Sequence, residues 1–70
     1  MSHSIIWELY KSKFPNDYKD VDTWFPCGKN TIRIRMKTKH EFIFIATSRD
    51  EWSYMPIKKY LKQMKGDKRM

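Results

Sequence analysis

Apolar and polar positions alternate most cleanly in the middle of the chain. Ile32, Ile34 and Met36 alternate with Arg33, Arg35 and Lys37, the period of two that marks a half-buried strand. Glu41–Thr47 follows, rich in Phe and Ile, residues that suit a pleated and partly buried surface. The short link Lys37–His40 predicts that the two strands pair as an antiparallel hairpin.

Elsewhere the period changes. Ile5, Ile6, Leu9, Tyr10 and Phe14 recur at helical spacing and predict a first helix over about Ser4–Ser12. Ser4 is its N-cap, accepting from a free N–H of the first turn, and Pro15 ends it. Lys19–Phe25 alternates imperfectly and reads as a short strand, with Val21, Thr23 and Phe25 on one side and Asp20, Asp22 and Trp24 on the other. Pro26-Cys27-Gly28-Lys29-Asn30 is turn chemistry. Ser48-Arg49-Asp50-Glu51 matches a capping box, so a second helix is expected to begin there and to kink or split at Pro56. Ile57, Tyr60, Leu61 and Met64 form its apolar stripe, and Gly66 is its expected stop.

The predicted fold is therefore α+β. It is a small antiparallel three-stranded sheet in α-β-β-β-α order, with both helices packed on one face. Residues 1–66 make a single domain and residues 67–70 a frayed basic tail. The order and length resemble those of double-stranded-RNA-binding domains. Such domains carry Lys-Lys-x-Ala-Lys at the start of the last helix, where this chain has Arg49-Asp50-Glu51, and no family is assigned.

Composition narrows the function class. Seventy residues make one domain with little interior to line an enclosed active site, so a non-enzymatic binding role is expected, with no cofactor. The apolar share is 40%, too high for a disordered tail. The longest apolar run, Phe42–Ala46, has five residues against the roughly 20 of a spanning helix, so no membrane association is expected. The single Cys27 excludes an intrachain disulfide, and Met1-Ser2-His3-Ser4 lacks the character of a secretory signal. The expected location is the reducing cytoplasm.

The net charge of +7 is unevenly distributed. Residues 1–28 sum to −1, residues 29–40 to +5, residues 41–53 to −2 and residues 54–70 to +5. The first basic block holds Lys29, Arg33, Arg35, Lys37 and Lys39, and alternation puts its strand members on one face. The second holds Lys58, Lys62 and Lys65 as one stripe of the last helix.

What lies beside the arginines depends on the hairpin register. A loop of two or four residues, the lengths favoured here because both are common, sets Ile34 opposite Ile43 and Ile32 opposite Ile45. Arg33 then faces Phe44 and Arg35 faces Phe42, giving an outer platform of Arg and Phe. A three-residue loop instead buries the phenylalanines. Phosphates attract Arg, and unstacked bases stack on Phe or guanidinium planes. Lys29, Arg33, Arg35, Lys37, Lys39, Phe42, Phe44, Lys58, Lys62 and Lys65 are thus the candidate nucleic-acid-binding residues. An alternative is an accessory protein of the phage or mobile-element type that binds an acidic host protein or self-associates as a homodimer.

Other constellations are weak. Gly28-Lys29-Asn30-Thr31 lacks the first glycine of a phosphate-binding loop and the Ser/Thr directly after its Lys. His3, Cys27 and His40 are too few and too irregularly spaced for a metal site, and no catalytic residue is identified. His40, in the hairpin link, can contact phosphate when charged.

Overall fold

Alternation in Thr31–Met36 and in the segments around it builds a sheet of four strands. The computed structural model describes residues 1–69, with side chains through Gln63. Helix α1 is His3–Lys13, followed by a single 3-10 turn at Asp17–Asp20. The strands are β1 Val21–Pro26, β2 Thr31–Met36, β3 Glu41–Ala46 and β4 Trp52–Pro56, and helix α2 is Ile57–Arg69. They form an antiparallel meander in the order β1-β2-β3-β4. The overall class is α+β, but the expected three-stranded sheet is corrected to four strands, in α-β-β-β-β-α order. The fourth strand also removes the likeness to double-stranded-RNA-binding domains.

The extra strand comes from the segment read as the start of a helix. The Ser48 hydroxyl does accept from the Glu51 N–H, at 3.1 Å, as a capping box requires. However, Thr47 N–H donates to the Glu51 carbonyl at 3.0 Å, which closes a β-hairpin turn instead. The same Ser side-chain bond serves tight turns as well as helix starts. Trp52 and Tyr54 then alternate with Ser53 and Met55, aromatic residues that suit a strand. Pro56 ends β4 where a helix kink was expected, and the bounds of α2 run past Gly66.

Smaller corrections have equally local causes. The cap of α1 is Ser2, in extended geometry, its hydroxyl accepting from Ile5 N–H at 3.3 Å. Strand β1 carries an irregularity between Val21 and Thr23, which puts Val21 and Trp24 against the core together. A bulge of this kind advances the chain by one residue and breaks the period of two. The turn after β1 is as expected: Gly28 and Asn30 adopt φ of +93° and +57°, and Cys27 N–H donates to the Thr31 carbonyl at 3.0 Å.

The core lies on one face of the sheet. Ile6, Leu9 and Tyr10 of α1 pack onto Ile32, Ile34, Phe44 and Ala46. Trp7, Phe14, Trp24 and Tyr54 surround them half-buried. No described residue of α2 joins this cluster; α2 lies against β3 and β4. Ile43 points to the opposite face, outside the cluster, and is also fully buried. The helices thus take opposite faces, rather than sharing one, with α2 covering the outer side of β3.

Candidate nucleic-acid interface

The link between β2 and β3 decides which side chains stand together. Lys39 N–H donates to the Met36 carbonyl at 2.9 Å, and Met36 N–H donates to the His40 carbonyl at 2.8 Å. The loop is therefore Lys37–Lys39, three residues, with Lys39 at φ +79°. A turn followed by one left-handed residue is the usual build of this loop length. The resulting register sets Ile32 opposite Phe44, Ile34 opposite Phe42, Arg33 opposite Ile43 and Arg35 opposite Glu41.

That register overturns the platform of Arg33 and Arg35 with Phe42 and Phe44. Phe44 is fully buried, with the Tyr10 ring edge-on at 5.5 Å and the Trp52 ring tilted at 5.5 Å. Phe42 lies on the same face, stacked on Tyr54 at 5.1 Å. The ring beside Arg33 is instead Phe25 of β1, 5.8 Å from the guanidinium. Phe25 pairs with Arg33 across the β1–β2 ladder and remains about one-third exposed, at 36%. Alternation puts Phe25 on the same side as Val21, and only the bulge between Val21 and Thr23 separates them and sets Phe25 beside Arg33.

Glu41 sits between the two arginines. Its carboxylate accepts from Arg33 Nε at 2.5 Å and from Arg35 Nε at 3.3 Å, and it also pairs with the Arg33 terminal nitrogen. The hydrogen bond from Arg33, and the charges of Arg33 and Arg35, hold this carboxyl below the usual glutamate range, outweighing partial burial. Glu41 thus offsets one of the two positive charges on the outer face of β2.

The lysines sort by the end of the sheet they occupy. Lys29 belongs to the β1–β2 turn, while Lys37 and Lys39 lie beyond the other end of β2. A six-residue strand separates them by roughly 20 Å, at ~3.3 Å per residue. Pro56 pairs with Phe42, beside the β2–β3 turn, so α2 starts at the same end as Lys39. Lys58 and Lys62 are exposed there, one helical turn apart; the side chain of Lys65 lies outside the described residues. The ion pairs among the described residues join Lys11 to Glu8 and Glu41 to the two arginines. Lys37, Lys39, Lys58 and Lys62 are unpaired among them.

Lys39 and Lys58 flank a cleft of about 470 Å³ between the β2–β3 turn and α2. Phe42, Pro56, Ile57 and Leu61 give it apolar walls, and the Arg33–Glu41 pair reaches it from the sheet. His40 is on the rim, its Nδ1 2.9 Å from the Thr38 hydroxyl. Leu61 is half exposed, at 49%. Leu61 belongs to the apolar stripe expected of the last helix, and no site role was expected of Glu41 or Pro56. Only the meeting of the turn with α2 brings these residues together.

The remaining candidates stand apart from the cleft. His3 Nε2 bonds the Gly28 carbonyl at 2.8 Å, and Cys27 lies half-buried in that turn. Trp52 is 38% exposed on the edge strand β4. Among the described residues no three His, Cys, Asp or Glu side chains gather where an ion can be held. No helix among the described residues is long and apolar enough to cross a membrane. Comparison with family models, with curated proteins and with solved structures finds no match to this chain, so function has to be argued from its own residues.

Proposed function

We propose that the protein is a small basic binding module for nucleic acid, without catalytic chemistry of its own, which grips the phosphate backbone at the α2 end of the sheet. The observation that carries this reading is the set of unpaired lysines around an apolar cleft: Lys39 and Lys58 on its edges, with Lys37 and Lys62 beside them. The Arg33 and Arg35 pair contributes less than its charge suggests, because Glu41 already occupies it. Phe25 and Arg33 extend the surface across the outer face of the sheet.

The test is a binding series in salt. Four phosphate contacts on a single strand give a log–log slope of about −3, or an affinity loss of about 50-fold between 50 and 200 mM salt. Single-stranded DNA, duplex DNA and duplex RNA are compared at each salt concentration. The variant with Lys39, Lys58 and Lys62 all changed to Ala is expected to keep its fold, since all three are exposed, and to lose most of this binding. Retention that survives the triple change, or that does not respond to salt, overturns the reading. A second reading, association with an acidic protein or another copy of the chain, is favoured by the open edge at β4 with its exposed Trp52. Sedimentation at high micromolar concentration shows the self-association directly.

A further inference from the structure

We propose that the cleft between the β2–β3 turn and α2 receives a single unstacked nucleobase, so that the protein prefers single strands to duplexes. This rests on the nucleic-acid reading above and names the ligand feature that the cleft selects.

Three properties of the cleft point to a base. Its volume of about 470 Å³ falls within the roughly 300–1,000 Å³ usual for small-ligand sites. That is room for one nucleotide and far too little for a duplex. Its walls are apolar, from Phe42, Pro56 and Leu61; Phe42 is the aromatic member, and single-strand binders stack bases on aromatic rings beneath a basic groove. On the sheet side, the Arg33 guanidinium and Glu41 carboxylate place a donor next to an acceptor. The edge of a base carries both donors and acceptors and can meet the N–H groups and lone pairs that this ion pair has left over, whereas an aliphatic side chain makes no use of them. Lys39 and Lys58 stand on the rim, where the phosphates flanking an inserted base would lie.

The rival occupant is an acidic peptide, which the rim lysines and the Arg33 guanidinium also attract, since Glu41 offsets only one of these cations. A nucleobase differs in entering without charge, so that no carboxylate has to be desolvated against Phe42, Pro56 and Leu61. In a duplex the same base is stacked and paired, and must be flipped out at a further cost.

The experiment compares three ligands of equal phosphate number at 100 mM salt: a base-bearing single strand, the matching abasic strand and a duplex. Wild-type protein is expected to bind the base-bearing strand about tenfold tighter than the abasic strand. Leu61→Gln removes an apolar wall without changing charge, at a position exposed enough for the fold to tolerate it. It is expected to bring the ratio below threefold while leaving the abasic affinity unchanged. Equal wild-type affinity for base-bearing and abasic strands overturns the base pocket and leaves the backbone-binding reading standing. An absence of binding to all three ligands, repeated at 50 mM salt, overturns that reading and the pocket with it. As a second readout, a nucleoside monophosphate is expected to shift the Leu61 methyl and Phe42 ring resonances. If an Asp-rich, leucine-containing peptide shifts them at lower concentration, the occupant is a protein segment and the proposal fails.

Discussion

The two faces of the sheet are built on different principles. On the α1 face, rings touch rings: Trp7 stacks on Tyr10 and Trp24, Phe14 on Tyr10, and Phe42 on Tyr54, with Phe44 in the middle. On the outer face a mixed ladder runs Phe25–Arg33–Ile43–Met55 across all four strands, with Arg35 and Glu41 beside it. The first face removes large apolar areas from water, which a chain of this length needs in order to fold at all. The second carries two arginines that share one carboxylate, is partly open and is bounded by unpaired lysines. Stability is therefore concentrated on one face, which leaves residues of the other free to serve binding.

The sharpest way to break this contrast is to truncate a ring on each face. Phe44→Ala opens a cavity in the aromatic core, and large-to-small changes of this kind cost about 3–5 kcal/mol. In a domain of this size that is most of the stability, so the variant is expected to be largely unfolded by circular dichroism at 25 °C. Phe25→Ala, on a partly exposed ring, is expected to cost below about 1 kcal/mol in urea unfolding while weakening single-strand binding. Comparable losses of stability from the two changes would show that the faces share the load.

This pair of phenylalanines also shows what the sequence could and could not disclose. The outward arginines and inward isoleucines of β2 were legible, because a period of two leaves little choice of face. The partner of each arginine was not, because it depends on a loop length set by Lys39 in a left-handed conformation without the glycine that usually marks it. Strand β4 was hidden for a related reason. Ser48 and Glu51 make the bond expected of a helix cap, and only the aromatic alternation of Trp52 and Tyr54 argued for a strand. The lysine stripe of α2 was visible. Its meeting with Lys39 was not, since it required both the fourth strand and the correct register.

Alkaline titration sharpens the comparison at the next level. The Tyr10 hydroxyl is buried without a hydrogen bond of good geometry. Burial, followed by the neighbouring Tyr54 hydroxyl, pushes its phenol well above the usual range, and burial raises Tyr54 as well. Both groups hold their protons in the folded state at pH values where the unfolded chain releases them. Their contribution to stability is therefore complete below about pH 10 and lost as pH rises further, by about 1.4 kcal/mol per unit for each tyrosine. Urea midpoints measured from pH 8 to 11 are expected to fall steeply for the wild type and less steeply for Tyr10→Phe. Parallel slopes would mean that Tyr10 does not titrate with unfolding.

Lys39 joins the turn to the cleft, so one change there separates folding from binding. At φ +79° a non-glycine residue is strained by about 1 kcal/mol. Lys39→Gly is expected to raise stability by up to that amount, while removing one cation from the rim. The log–log salt slope on single strands should shrink by about 0.7. A gain in stability with an unchanged slope would take Lys39 out of the interface and leave it a purely structural residue.

The smallest effect is expected on the outer face, at Glu41. Its carboxyl lies below the usual range because Arg33, then Arg35, favours the charged form. The contribution to stability is thus present at neutral pH and lost as pH falls through the folded-state value. In Glu41→Gln, Arg33 and Arg35 face each other across one strand position without their shared anion. The variant is expected to be slightly less stable than wild type at pH 7, and the gap between their urea midpoints should close as pH is lowered toward 3. A gap that persists at acid pH would mean that Glu41 acts through packing rather than charge. The outer face would then resemble the α1 face more closely than its ladder of mixed residues suggests.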